Sequence, residues 1–185
     1  MGTLRDTTEK ISEICSRSTE YHFPNFEQQL ESLKVKTGQG KRLKCGDFYM
    51  TRHSNLCEVH VVFHMLSTTS KAEGGEEGGE EGHAPLTSAE RVNSRHPVVM
   101  GLRSVLKTAS LCGVTTLTIP LLLTMSLTDE MTSVSWCLRR AELVFKCVKG
   151  FMMEVASCGG GEDLKTLQFV VPKDIDQDVF NRFGH

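Results

Sequence analysis

Three groups of residues in this 185-residue chain could do chemistry, and each has a plainer reading beside the chemical one. The first is Cys57, His60 and His64 in the run CEVHVVFHML at 57–66. On a helix, His60 and His64 would share a face and could chelate zinc. The run is rich in Val and aromatic residues and reads as a strand. On a strand the two histidines lie roughly 13 Å apart at about 3.3 Å per residue. Zinc needs its ligands within about 2.1 Å of one point, so structural histidines are expected and no metal site is predicted. The second group is Arg52-His53-Ser54-Asn55, where a His beside a Ser could pair base and nucleophile. No orienting third group, oxyanion donors or G-x-S-x-G elbow can be identified. A turn at Ser54-Asn55 explains the same residues, and no catalytic residue is predicted.

The third group is cationic. Trp136-Cys137-Leu138-Arg139-Arg140 opens a long helical pattern, and Lys146 and Lys149 follow on its polar face. A solvated charged face is one reading; contact with an anion or a partner protein is the other. Arg139, Arg140, Lys146 and Lys149 are therefore the candidate partner contacts. The glycine clusters are not phosphate loops. Gly74 to Gly82 lies among glutamates, which would repel phosphate. Gly159 to Gly161 follows a helix and precedes a strand, the reverse of a phosphate cradle.

These groups must be positioned by a small set of elements. Leu4, Ile11, Ile14 and Cys15 fall at helical spacings. Pro24 suits a first helical turn, with Phe26, Leu30 and Leu33 behind it and Gly38 and Gly40 ending it. A short β-prone run, 47–51, precedes the strand 57–66. Pro97 starts a helix carrying Val98, Leu102, Val105, Leu106 and Ala109, and Cys112-Gly113 ends it. The strand 114–119 stops at Pro120, which cannot donate to a ladder. In the long helix, 134–157, the residues Leu138, Ala141, Phe145, Val148, Met152 and Val155 make one continuous buried stripe. Glu142 stands four residues before Lys146, the favourable order for an ion pair. The strand 164–171 and a short helix over 175–183 complete the chain. The alternation predicts an α/β fold: a small, mostly parallel sheet with helices on both faces, preceded by a helical arm. The arm is placed at 1–40. A single α/β domain is placed at 46–183.

Composition sets the limits. Hydrophobic residues are 39% and charged residues 24%, which excludes a fully disordered or collagen-like chain. The apolar run 117–127 is too short for a bilayer span and holds Thr118, Pro120, Thr124 and Ser126. A net charge of −2 gives no basic excess for nucleic acid. The domain is interrupted by an insert at 71–95, whose first part, KAEGGEEGGEEGH at 71–83, cannot bury apolar surface and is expected to be flexible. Removing its one Lys and five Glu from the 21 basic and 23 acidic residues leaves 20 and 18, so the remainder is almost neutral. Seven cysteines, an odd number without a CxxC pair, and a polar N-terminus without a secretory apolar run predict reduced thiols in a cytosolic protein. Met1-Gly2 lacks the Ser or Thr that myristoylation expects, since Asp6 stands there.

Several runs resemble one known family. They are TRHSNL at 51–56, EVH at 58–60, MGLR at 100–103, IPLLL at 119–123, Gln168-Phe169, Val171-Pro172 and above all WCLRRAELVFKCVKGFMME at 136–154. Together they resemble the C-terminal region of the third subunit of the FERRY complex, closely over 46–180 and less so before. ICSRSTEYHFPNFEQQLE at 14–30 is similar to the segment just upstream. The resemblance covers about the last third of such a subunit, as a fragment or short paralogue; the family's long coiled-coil-rich N-terminal region lies outside it.

The resemblance implies a non-enzymatic scaffold or adaptor in a five-subunit effector of an early-endosomal Rab GTPase. It further implies a link to mRNA and the translation machinery, the other complex subunits as partners, no cofactor, and a cytoplasmic place peripheral to early endosomes. A weaker likeness is to the second half of a macro domain, carried by 57–66, 97–112, 114–119, 134–157 and 164–171. That alternative implies a nucleotide or ADP-ribose binding domain, although no counterpart of its N-terminal Asn or Gly-rich loop is present. A third reading is a fragment that folds poorly by itself, with exposed apolar residues and broad unfolding.

Overall fold

The computed structural model describes residues 4–36, 43–67, 92–124, 133–158 and 164–183. In chain order the elements are α1 (Leu4–Arg17), α2 (Phe26–Lys36), β1 (Phe48–Leu56), β2 (Val59–Met65), α3 (Pro97–Leu111), β3 (Thr116–Pro120), α4 (Val134–Cys158), β4 (Thr166–Val170) and α5 (Gln177–Arg182). Most of the predicted elements are present, and the fold is mixed α/β. The glycines at 38, 40 and 159–161 and residues 71–91 of the insert lie outside the described residues.

The sheet differs from the expectation. β1 and β2 form an antiparallel hairpin, while β3 and β4 form a separate parallel pair. The strand predicted at 57–66 therefore does not join the parallel strands, and the described strands make two small sheets in place of the single mostly parallel one. Nor, among the described residues, do helices cover both faces of the parallel pair. Leu117, Ile119, Leu167 and Phe169 pack on the helices, while Thr116, Thr118, Thr166 and Gln168 are exposed. Alternation with a period of two forces this division.

The predicted turn at Ser54-Asn55 is also displaced. β1 continues through both residues, and Cys57-Glu58 makes the two-residue connection, with Glu58 at φ 54°. The register runs from Phe48↔Met65 to Arg52↔Val61, then shifts before Leu56↔Val59. That irregularity absorbs the polar residues that had read as a turn.

The main core lies between α3, α4 and the parallel strands, with Leu106, Leu122 and Val144 fully buried. Pro97 opens α3 at its first turn and His96 caps it, its Nδ1 accepting from the Val98 N–H at 3.2 Å. At the α3–α4 seam, Glu154 takes Arg103 at 2.5 Å and Lys107 at 3.1 Å. Those two cations hold its carboxyl below the usual range. α4 buries Cys137, Ala141, Val144, Val148 and Phe151. The predicted stripe holds at Ala141, Val148 and the half-buried Leu138 and Val155, but Phe145 and Met152 are exposed, and Val144 and Phe151 are buried in their place.

Hairpin and core meet where two backbones touch. A Cβ on Gly101 would lie 2.2 Å from the Gly46 carbonyl oxygen, and one on Gly46 would lie 2.3 Å from that of Pro97. Gly46 also adopts φ 87°, which a side chain would strain. The two glycines let α3 rest directly on the base of the hairpin. The six described cysteines are free. Among the described residues no helix is long and apolar enough to cross a membrane.

Candidate functional site

Two places concentrate polar or accessible chemistry. The first is where the arm meets the hairpin. Alternation along β1 turns Tyr49, Thr51 and His53 to one face, and α2 supplies Phe26 against the rings of His53 and His64. His53 Nδ1 lies 2.8 Å from Glu20 Oε1, and His53 Nε2 lies 2.9 Å from Thr51 Oγ1. Thr51 Oγ1 in turn lies 2.8 Å from His64 Nε2. Carboxylate, imidazole and hydroxyl thus stand in the order of a nucleophilic triad.

Access decides against that chemistry. Thr51 and His53 are wholly buried, and the Glu20 side chain is nearly so. Thr51 is also held by a second imidazole, which fixes its hydroxyl. Burial would raise the Glu20 carboxyl, but hydrogen bonds from Ser18, the Ser54 N–H, His53 and the Ser54 hydroxyl bring it down to about 2. Burial, with His53 close by, lowers His64 to about 4. The line is consistent as Glu20 carboxylate, His53 Nδ1–H, Thr51 hydroxyl and His64 Nε2–H. Gln29 adds a two-way clasp: its side chain donates to the Arg52 carbonyl and accepts from the Arg52 N–H, each at 2.8 Å. This site ties the arm to the hairpin. His64, stacked on Tyr49 at 4.6 Å, is structural; His60 is exposed in the irregular stretch. Among the described residues no group of three or more His, Cys, Asp or Glu is placed to hold a metal.

The second place is an open apolar groove of about 610 Å³ between α4, β4 and α5. Its floor is Leu138, Ala141, Phe145, Val148, Phe169 and Phe183, and its rim is Glu142, Lys146, Lys149 and Arg182. The Phe145 and Phe169 rings meet edge to face at 5.1 Å. Lys146 is paired with Glu142 at 2.6 Å, as its spacing predicted. Lys149 and Arg182 form no ion pair among the described residues, so the rim is net cationic.

The four predicted contacts therefore separate. Lys146 and Lys149 stand on the groove. Arg139 is exposed but does not line it. Arg140 is not a surface contact: it is 3% exposed, with its guanidinium 4.6 Å over the Trp136 ring. Burial lowers it to about 10, which leaves it charged. Charge pattern read Arg139 and Arg140 as one pair, but at 100° per residue neighbours on a helix diverge. Arg182 and Phe183 were missed because only the turn of chain after β4 brings them to α4. Glu20 was missed because its partners lie 33 and 34 residues away.

The family described as Ferry endosomal RAB5 effector complex subunit 3 matches residues 36–185. The subunit 3 protein of Rattus norvegicus is 38% identical over 216 aligned positions, which cover the whole chain and 35% of that protein. The Homo sapiens and Mus musculus proteins are 38% and 37% identical over the same shares. The chain thus spans about a third of the length of these relatives. No solved structure matches it.

Proposed function

The chain belongs to the Ferry endosomal RAB5 effector complex subunit 3 family, and from that premise we propose that it is a non-enzymatic docking module of an endosomal Rab effector complex. The single observation that carries the docking role is the groove beside α4: apolar on its floor, open to solvent, and edged by Lys149 and Arg182, which form no ion pair among the described residues. It lies on the run that most strongly resembles the family, 136–154. An accessible apolar surface rimmed by charge is the form of a protein-contact site. The polar line at Glu20, His53 and Thr51 supports a non-catalytic role, because its hydroxyl is sealed.

On this reading the partners are the other subunits of that complex. The chain reaches early endosomes, and the Rab GTPase and messenger RNA there, through them, as a peripheral cytoplasmic component without a cofactor. The arm at 1–40 and the domain at 46–183 act as one piece, latched through Glu20 and His53. The test is affinity purification with mass spectrometry, with this chain and a full-length relative tagged in parallel. Both should recover the other subunits, and Lys149→Glu with Arg182→Glu in this chain should reduce the recovery. If only the full-length protein recovers them, assembly resides outside this chain and the docking reading fails.

A further inference from the structure

The parallel pair β3–β4 leaves two strand edges, and they are not alike. Thr166 N–H donates to the Thr115 carbonyl and Leu121 N–H donates to the Val170 carbonyl. With Thr116↔Thr166 through Pro120↔Val170 in register, the peptide groups of 166, 168 and 170 face β3. Those of Leu167 and Phe169 therefore face away, and no backbone partner for them occurs among the described residues. On the opposite edge the outward groups belong to 116, 118 and 120, and Pro120 has no N–H to offer. The hairpin is guarded too, since Gln29 occupies the outward N–H and carbonyl of Arg52. Among the described residues the outer edge of β4 is the strand edge that the groove adjoins: Phe169 lines the groove and no β3 residue does.

Resting on the docking reading above, we propose that the outer edge of β4 and the adjoining groove receive an extended acidic–apolar peptide segment of a partner protein as an added strand. The open N–H and carbonyl groups of Leu167 and Phe169 supply the ladder. Every second side chain of the incoming strand falls on the helix-facing side of the sheet, over Phe145 and Phe183, and must be apolar. The residues between reach the rim, where Lys149 and Arg182 select carboxylates. A helix laid in the groove would use the apolar floor but leave the β4 edge unpaired. An added strand would cover this exposed edge, which is otherwise a hazard.

The test screens the whole chain against two peptide sets: one tiling the other subunits of the complex, and one of short random sequences alternating Val or Leu with Glu. Binders should carry the alternating pattern. N-methylation of alternate backbone amides in a binder should abolish binding, and the Leu167 and Phe169 amides should gain protection from hydrogen exchange. The pair Lys149→Glu and Arg182→Glu, both exposed, should weaken binding about tenfold, with the thermal midpoint of the chain checked alongside. Binding indifferent to N-methylation would overturn strand addition, and the absence of binders in both sets would overturn the site. Binders found only in the random set support the site and sink its assignment to that complex. Recovery of the complex by this chain with no peptide bound would do the reverse.

Discussion

The Glu20 carboxylate holds the His53 imidazole at 2.8 Å, with the two side chains 1% and 0% exposed. The contact joins residues on either side of α2, so it closes the arm onto the hairpin. Ser18 Oγ at 2.6 Å and Ser54 N–H at 2.6 Å complete the shell of the carboxylate. Glu20→Gln presents an NH₂ to a site built of donors. A hydrogen bond to a buried charged group contributes about 1.5–3 kcal/mol. The expected outcome is a lower unfolding midpoint and early hydrogen exchange at the Ser54 amide. Thr51→Val keeps the shape but strands two imidazole nitrogens, at about 1–3 kcal/mol. An unchanged midpoint in both variants would show that the latch contributes nothing to stability.

Acid should open this latch in two stages. The folded value of His64, about 4, lies below its ordinary 6.5. The unfolded chain therefore takes the proton first, and stability present above pH 6.5 is lost as the pH falls toward 4. Glu20, at about 2 against an ordinary 4.5, is stabilising above pH 4.5, and that contribution is lost as the pH falls toward 2. Urea midpoints measured from pH 7 to pH 3 should fall across both windows. In His64→Asn the loss between pH 6.5 and 4.5 should shrink while the lower window remains.

Glycine substitutions should sort by what a Cβ would meet. Gly101→Ala drives a methyl against the Gly46 carbonyl and the Met65 sulfur, which would lie 2.9 Å away. Overpacking of this kind costs about 1–3 kcal/mol, and more where backbone must move. Gly113, at φ 72° with open space around it, should cost only about 1 kcal/mol as Ala. Gly150, within α4 and facing open space, should gain about 0.5–1 kcal/mol as Ala. Thermal midpoints of the three variants check the order. A Gly101→Ala midpoint above that of Gly113→Ala would refute the close backbone contact.

The limits of reading this fold from its sequence are visible at particular residues. Pro97, Gly113 and Pro120 mark α3 and β3 within a residue or two, because capping and lost donors act locally. The pairing of β2 was not legible. Its partner β1 contains Arg52, His53, Ser54 and Asn55, whose polarity reads as a turn until Glu20 and Gln29 are seen to satisfy it. The groove was half legible. Lys146 and Lys149 follow from helix periodicity, while Arg182 and Phe183 arrive there only through tertiary packing. The stripe on α4 was misjudged in part because Phe145 and Met152 are apolar and exposed, the condition that leaves a groove rather than a closed core.

Arg139 and Arg140 are neighbours in sequence with opposite fates, and substitution should separate them. Arg139→Ala removes an exposed side chain and should change stability by less than about 0.5 kcal/mol. Arg140→Ala removes a buried stem and a cation from the face of Trp136, where a desolvated cation–π contact alone contributes about 2 kcal/mol. Trp136 is the chain's single tryptophan, so its fluorescence reports on this contact directly. Arg140→Ala should shift the emission and lower the midpoint, and Arg139→Ala should do neither. A partner lost on Arg140→Glu would then reflect damage at the start of α4. Only losses in Lys149→Glu or Arg182→Glu, with Trp136 emission unchanged, report on the groove itself. Equal and small effects of Arg139→Ala and Arg140→Ala would contradict the burial of Arg140 and return it to the candidate surface.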